Sequence, residues 1–445
     1  MRARDDARDL SKTSGERWGR AGAGHLLRRA GVGGSWDEID RAIQDGPDET
    51  VSRLLEQARS KEPTESLRHL ESLLSLDDVE QLQAGWIHRL VRSPRALQEK
   101  MALFWHDHFA TSNAKVQSVK RMHAQNRMLT EHALGSVRDL LIGVSKDPAM
   151  IRWLDNDRNW KDHPNENYAR ELFELFALGR GAYTEKDIQE SARAFSGWHT
   201  RGDSFHFDVR GHDDGMKVVL GQKGQLNGED IVDICLEQPA CAELLASKIA
   251  AFLWRPDPDP ATIRELAETL RESGFEIAAL VDRLLRSEAF HHESSYRTLI
   301  KSPVELAAGA IRALEGRPLG KSVAKATASM GQRLFEPPSV KGWDGGRAWI
   351  HTASLIARSN FAAALCGLAG SPVAAGLDPL ALAEKHGRRK PDAVIDFLAD
   401  LLVDGEMPEE TREALRRAWA EAPGADRGAR IVAYLILVSP EFQVA

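Results

Sequence analysis

The sequence predicts an all-α protein, a large orthogonal bundle of many helices with one β-hairpin inserted near residues 203–221. Through most of the 445 residues, apolar side chains recur at every third or fourth position, which places them on one face of a helix. Alternating, β-rich segments are confined to FHFDV and MKVVLG, on either side of RGHDDG. That arrangement favours a hairpin closed by a long loop.

The first part of the chain is predicted to consist of helices separated by short breaks. Residues 1–20 are highly charged and are expected to form a flexible N-terminus. A short helix through Leu26 ends at a glycine-rich break, and Ser35 with Glu38 three residues later is typical of a capping box at the start of the next helix. Further helices are predicted over 67–91, from Pro94 through WHDHF, and over 116–131 and 137–144.

The stretch 163–198 predicts a helix, a glycine turn and a second helix, and it holds the densest group of function-like residues. Pro164 suits the first position of a helix whose N-cap is Asp162 or His163. After the glycine turn, Thr184 is predicted to cap the second helix. Capping and turn chemistry therefore explain the second half of the stretch without any catalytic role.

The second half of the chain is predicted to continue as helices around one irregular segment. Helical periodicity resumes at Glu229, and later helices are predicted over 261–272, 275–288, 303–314 and 322–334. Segment 334–349 contains two prolines, three glycines and two tryptophans, so we expect a long ordered loop, a type of segment that often carries function. We assign residues 21–372 to a main helical domain that includes the hairpin, and residues 373–445 to a C-terminal helical subdomain packed on it.

The composition restricts the class of protein. A net charge of −7 and a pI near 6.1 leave no overall positive field to attract nucleic acid. The three cysteines form no CxxC pair and are too few for a disulfide framework, which indicates either a reducing compartment or inert buried thiols. With no apolar leader and no run of residues suited to a membrane span, the sequence predicts a cytoplasmic protein.

The candidate chemistry centres on histidine, because eight of the fifteen histidines fall between positions 106 and 212. Histidine is a general acid or base near neutral pH and a common metal ligand. In WHDHF, His106 and His108 differ by about 200° around a helix, so they point to nearly opposite faces. One of them is then free to face a site while the other is structural. The alternative is that both are hydrogen-bonded within an aromatic core.

Two other groups of residues have both a functional and a structural interpretation. Glu166, Arg170 and Glu174 form an i, i+4, i+8 row, which is either a solvated salt ladder or the polar lining of a cleft. His212 and Asp213 belong to the segment HDDG. This segment is either a turn stabilised by Asp–Gly chemistry or a flap that brings a histidine and a carboxylate over the helical core.

Six blocks of sequence occur together in an order that is typical of one family. They are HLLRRAGVG, FWHDHF, the stretch 163–198, HDDGMKVVLG, KSPVEL and MGQRLFEPPSVKGWDGG. They cover about residues 22–375 and resemble the bacterial DUF1800 family, which has no established activity. The resemblance implies a mostly helical protein whose gene often lies beside that of a sulfatase-like protein of the DUF1501 family. Many of those neighbours carry a twin-arginine export leader, so the resemblance makes an exported or periplasmic location the alternative to the cytoplasm.

The leading functional hypothesis is a metal-assisted enzyme, a hydrolase or an oxidoreductase, with a cleft between the helical core and the hairpin. Its predicted catalytic residues are His106, His108, His163, Glu166, Arg170 and Glu174. The predicted ligands of a divalent metal ion are His106, His212 and Asp213. The alternative is a non-catalytic helical partner or maturation protein for the sulfatase-like neighbour, with Trp343 in its docking surface.

Overall fold

The computed structural model of the protein describes residues 9–13, 15, 18–60 and 77–445, and helices account for most of this part of the chain. The all-α prediction is confirmed. The predicted flexible N-terminus and the predicted helix over 67–91 fall partly outside the described residues. Among the described N-terminal residues, Ser11 and Thr13 form backbone hydrogen bonds of 2.9 and 2.8 Å with Glu288 and Arg286.

Ten α-helices precede the strands in the described part of the chain. They are α1 (Arg20–Arg29), α2 (Trp36–Arg59), α3 (Val79–Arg92), α4 (Ala96–His108), α5 (Asn113–Val116), α6 (Val119–Glu131), α7 (Val137–Lys146), α8 (Pro148–Trp153), α9 (Asn167–Glu171) and α10 (Glu185–Ala194). A π-helix, Leu172–Ala177, continues directly from α9. Helix α2 is interrupted at Gly46, which has a φ of 80°, because the following Pro47 cannot donate a helical hydrogen bond.

Thirteen described α-helices follow the first strands. They are α11 (Gly228–Glu237), α12 (Pro239–Leu253), α13 (Pro260–Glu272), α14 (Ile277–Arg286), α15 (Glu288–His291), α16 (Pro303–Ala313), α17 (Gly320–Ser329), α18 (Thr352–Leu365), α19 (Pro379–Lys385), α20 (Pro391–Val403), α21 (Glu409–Ala420), α22 (Ala425–Val438) and α23 (Pro440–Gln443). Six of them begin with proline, which lacks the N–H group that a first helical turn leaves unpaired. None of the described helices has the length and apolar character needed to cross a bilayer.

The β-structure differs from the prediction in its pairing. The described strands form three antiparallel pairs: β1 (Trp198–Arg201) with β2 (Ser204–Phe207), β3 (Lys217–Val219) with β4 (Gln222–Gly224), and β5 (Arg317–Pro318) with β6 (Ala374–Ala375). FHFDV and MKVVLG therefore belong to two separate hairpins and not to one. Gly202 and Asp203 close the first hairpin, and Leu220 and Gly221 close the second. Two-residue turns match the twist of the strands and cost less chain entropy than a long loop.

The helix that follows His163 begins later than predicted. Its N-cap is Glu166, and neither Asp162 nor His163 takes that position. The backbone of His163 instead pairs with Trp160 in an isolated β-bridge, with a hydrogen bond of 2.9 Å. Because the chain turns back on itself here, Pro164 lies before the helix and helical hydrogen bonding starts only after the turn.

Helix α4 lies at the centre of the helical body. Eleven of its thirteen residues are buried, which is the pattern of a helix surrounded by other helices. Glu99 accepts a hydrogen bond of 3.0 Å from Trp86 Nε1 and pairs with Arg89 at 3.1 Å. Lys100, the next residue, pairs with Glu305 of α16. The charged side chains of this buried helix are thus partnered inside the protein.

The C-terminal helices pack against the beginning of the chain. Arg28 of α1 forms a partly buried ion pair of 2.5 Å with Asp404, which follows α20. Backbone hydrogen bonds also join residues 299–301 to residues 443–445, with an isolated β-bridge between them. Segments that are far apart in sequence therefore meet beside α16.

Candidate functional site

A cavity of about 420 Å³ lies where α4, α12 and α16 meet the loop 334–349. Its aromatic lining consists of Phe104, Phe252, Trp343 and Trp349. Its charged lining consists of five cationic side chains and three carboxylates, namely Arg29, Lys100, Lys248, Lys301, Lys341, Asp107, Glu305 and Asp344. The volume is typical of a small-molecule site, and the eight charged side chains make this lining more polar than that of most such sites.

Asp107, near the end of α4, lines this cavity beneath the loop 334–349. The backbone N–H of Trp343 donates to Asp107 Oδ1 at 2.8 Å. Gly342, with a φ of 81°, allows this approach, because a Cβ atom there would lie 2.6 Å from the Asp107 backbone oxygen. Burial raises the pKa of Asp107 to about 6, since a carboxylate removed from water is less stable in its charged form.

Lys248 of α12 contacts His108 of α4. Lys248 Nζ lies 3.1 Å from His108 Nδ1 and 2.9 Å from the Leu175 carbonyl oxygen, and His108 Nε2 lies 3.0 Å from the Phe176 carbonyl oxygen. Because a carbonyl only accepts, His108 carries its proton on Nε2 and accepts from Lys248 through Nδ1. Burial lowers the pKa of Lys248 to about 8, and the charge of Asp107 opposes this shift.

The π-helix Leu172–Ala177 supports these two side chains through its backbone. Leu175 and Phe176 belong to its last turn, where carbonyl groups lack donors within the helix. Lys248 and His108 donate to those two carbonyl groups. π-helical turns are rare and occur frequently at functional sites. The block LFELFA therefore contributes backbone acceptors to the site.

Glu305 lies in a second charged part of the cavity lining. It pairs with Lys100, and it accepts a hydrogen bond of 2.8 Å from the Ser302 backbone N–H in the capping box of α16. Burial alone raises the pKa of Glu305, but Lys100 and Ser302 outweigh burial and hold this pKa below its ordinary value. Lys301 is also buried and donates to the Phe442 carbonyl oxygen at 2.8 Å.

His106 does not line the cavity, whereas His108 does. The Phe335 backbone N–H donates to His106 Nε2 at 3.0 Å, and the imidazole packs 5.1 Å from the Trp86 ring. Burial lowers the pKa of His106 to about 3, so this side chain is neutral near pH 7. The placement agrees with the predicted opposite directions of the two histidines, and it gives His106 a contact with the loop 334–349.

The remaining predicted catalytic residues, His163, Glu166, Arg170 and Glu174, are exposed or half-buried. Arg170 pairs with Glu166 at 2.9 Å and with Glu185 at 2.8 Å, and Arg180 Nε donates to Glu174 at 2.7 Å. The row is therefore a salt ladder directed to solvent. Helical spacing places the three side chains on one face, but the apolar face of the same helix takes the core side. None of these ion pairs and hydrogen bonds joins the row to His108.

The three predicted metal ligands are not brought together. His212 Nδ1 lies 2.9 Å from the Ser196 carbonyl oxygen, and Asp213 pairs with Arg193 at 2.7 Å. His106 lies in the core with other partners. His212 and Asp213 thus hold the segment HDDG against α10, which is the structural alternative for this segment. The metal role of His212 and Asp213 stays a prediction.

Within the described residues, one group of three side chains has the proximity that metal binding requires. It consists of Asp37, Glu315 and His386. Lys385 donates to Asp37 at 3.3 Å and to Glu315 at 3.1 Å. An ammonium group therefore already balances these exposed carboxylates, and none of the predicted ligands belongs to the group.

Trp343, the predicted docking residue, is half-buried and forms part of the cavity wall. Its ring lies 5.8 Å from the His106 ring, and its backbone bonds to Asp107. The docking role of Trp343 stays a prediction. The geometry instead gives this residue a direct position in the candidate site.

The sequence carries weak signals for the other charged residues of the cavity. Lys100 stands in LQEKMALFW, where apolar residues surround it on the helix, and a lysine at such a position needs a buried partner. Ser302 and Glu305 have the spacing of a capping box within KSPVEL. Neither pattern shows that Lys100 pairs with Glu305 in the folded protein. The sequence around Lys248 contains no pattern that would mark this lysine as a site residue.

The protein is therefore a helical protein with a charged, aromatic-lined cavity. The chain belongs to the DUF1800 family, described as "Protein of unknown function (DUF1800)", whose model matches residues 25–444. The match confirms the resemblance predicted for residues 22–375 and extends it through the C-terminal helices. No curated protein and no solved structure matches the chain significantly.

Proposed function

We propose that the protein is an enzyme whose active site is the cavity beside Asp107 and Lys248. One observation supports this proposal above all others. The two groups line the same cavity, and burial moves the pKa of Asp107 up to about 6 and the pKa of Lys248 down to about 8. Ionisable groups whose pKa values are moved toward neutrality within a cavity are typical of proton-transfer sites.

Hydrolysis is a reaction that uses an ionised Asp107 and a protonated Lys248, the forms that predominate at pH 7. Asp107 is then mostly ionised and accepts a proton from water while the water oxygen bonds to the electrophilic atom of an ester or amide. Lys248 is mostly protonated and donates a proton to the leaving oxygen or nitrogen while its bond breaks. His108 accepts from Lys248 and fixes its position. The rate is expected to be greatest between pH values of about 6 and 8.

Asp107→Asn and Lys248→Met are each expected to reduce hydrolysis at least about 100-fold, because each removes one proton-transfer group. The measurement is release of phenol from phenyl acetate, phosphate and sulfate, because phenolate is a basic leaving group that benefits from the proton of Lys248. The wild type should cleave at least one of these esters. Glu174→Gln changes a surface ion pair outside the cavity and should retain the wild-type rate. Cleavage of none of the esters, or equal rates in all variants, would contradict the proposal.

Lys248 is expected to react with acetic anhydride as an amine of pKa about 8. Competitive labelling across a pH series, read by mass spectrometry, measures this value, and exposed lysines in the same digest are the internal control. Asp107→Asn removes a negative charge that raises the pKa of Lys248, so the titration should move to lower pH. The idea of a coupled pair fails if Lys248 titrates with the exposed lysines or if the Asp107 variant leaves its titration unchanged.

A further inference from the structure

Arg29 brings a buried guanidinium group to the cavity. The side chain is 1% exposed and lines the cavity. Its Nη2 donates to the Ser295 carbonyl oxygen at 2.9 Å and to Thr298 Oγ1 at 2.8 Å. Its Nε and Nη1 are also buried and have no hydrogen-bond partner among the described residues. Buried donors of this kind are unfavourable unless an acceptor is supplied.

The lining around Arg29 carries more positive than negative charge. Lys100 and Lys301 line the same cavity, and Glu305 is the carboxylate that interacts with all three cations. Burial and the neighbouring Arg28 lower the pKa of Arg29 to about 9, and Glu305 only partly opposes them. Lys301 also interacts with Asp404, but Asp404 is already paired with Arg28. Two carboxylates, Glu305 and Asp404, thus face four cations: Arg28, Arg29, Lys100 and Lys301. A buried excess of positive charge is costly without a further negative partner.

We infer that Arg29, Lys100 and Lys301 form an oxyanion subsite, which binds a carboxylate, sulfate or phosphate group of the substrate. The inference deepens the proposed function and rests on it, because Asp107 and Lys248 line the same cavity. Guanidinium and ammonium groups both bind oxyanions through charge-assisted hydrogen bonds. A bound oxyanion accepts from the unpaired donors of Arg29 and supplies the missing negative charge.

Isothermal titration calorimetry of the full chain with sodium acetate, sulfate and phosphate, in chloride buffer at pH 7, tests the subsite. We expect at least one anion to bind, and Arg29→Gln to weaken its Kd at least about tenfold. Arg20→Gln is the matched control, because Arg20 lies on the same helix, pairs with Asp40 and does not line the cavity. Binding of acetate alone supports a carboxylate subsite, and binding of sulfate or phosphate supports a tetrahedral one.

Circular dichroism shows whether Arg29→Gln is folded. If it is not, Arg29→Lys takes its place in the titration. It retains the charge but loses the planar donors, so an intermediate affinity is expected. Absence of anion binding by the wild type, or wild-type affinity in the folded Arg29 variant, overturns the subsite. Labelling of Lys248 separates this failure from that of the proposed function. Titration of Lys248 near pH 8 without anion binding overturns the subsite alone, whereas anion binding with an ordinary Lys248 titration overturns the proton-transfer pair alone.

Discussion

Glu305→Gln is expected to lower the free energy of unfolding by about 3–5 kcal/mol at pH 7, because it leaves Lys100 buried without its counter-charge. The Lys100 side chain is 3% exposed and that of Glu305 is 17% exposed, so water replaces the lost partner poorly. Glutamine retains an oxygen for the Ser302 backbone N–H, and the capping box therefore changes little. Urea denaturation of the wild type and the variant measures the difference.

The pH dependence of this difference provides a second check. The pKa of Glu305 lies below its ordinary value in the folded protein, so its contribution is present above the ordinary carboxyl pKa and is lost as the pH falls. The difference between wild type and variant should shrink below a pH of about 4. Glu131→Gln is the control, because Glu131 pairs with Arg127 on the exposed surface and is expected to contribute less than about 0.5 kcal/mol. A loss for Glu305→Gln no larger than that of the control would refute the buried-pair argument.

Gly342→Ala is expected to lower the free energy of unfolding by about 2–4 kcal/mol, from backbone strain together with overpacking. The φ of 81° disfavours alanine, and the added Cβ atom would lie 2.6 Å from the Asp107 backbone oxygen. The loop must then move away from Asp107, and the hydrogen bond from Trp343 is lost. Thermal and urea denaturation measure the stability of the variant.

Gly346→Ala is the matched control for this substitution. Gly346 is the first residue of a 3₁₀-helix, Gly346–Trp349, at the end of the same segment. Its φ is 52°, but a Cβ atom there would have no neighbour within 4 Å. Its expected cost is therefore about 1–2 kcal/mol, from backbone conformation alone. Equal losses for the two variants would show that Gly342 is required for its backbone angles and not for its approach to Asp107.

The helices are the part of this fold that local sequence determines most directly. The capping boxes at Ser35 and Thr184 are present as expected, because a cap needs only residues three positions apart. Strand pairing is harder to predict, because short alternating segments pair with any suitable neighbour. The β1 strand lies in GWHTR, which has little strand pattern, yet a two-residue turn after it suffices to form the first hairpin.

The candidate site is less predictable than the fold because its contacts join distant parts of the chain. Helical geometry correctly separates His106 from His108, since their angular difference depends on spacing alone. By contrast, Lys100 and Glu305 are 205 positions apart, and Asp107 and Trp343 are 236 positions apart. Periodicity identifies the residues that share a helical face, but only tertiary packing decides what that face meets. The same holds for Glu166 and Arg170. Periodicity places them on one helical face, but it does not show that this face meets solvent and not the cavity.

The residues that line the cavity come from both ends of the described sequence, and this has a consequence for synthesis on the ribosome. Arg29 belongs to the first described helix, whereas residues 443–445 hold the backbone beside Lys301. At translation rates of roughly 5–20 residues per second, roughly 20–80 s separate the appearance of these segments. The cavity cannot close during that interval. A ligand that binds only the closed cavity would stabilise the folded chain by mass action once both segments have been synthesised. The cellular supply of that ligand would therefore influence how much of the protein reaches its folded state.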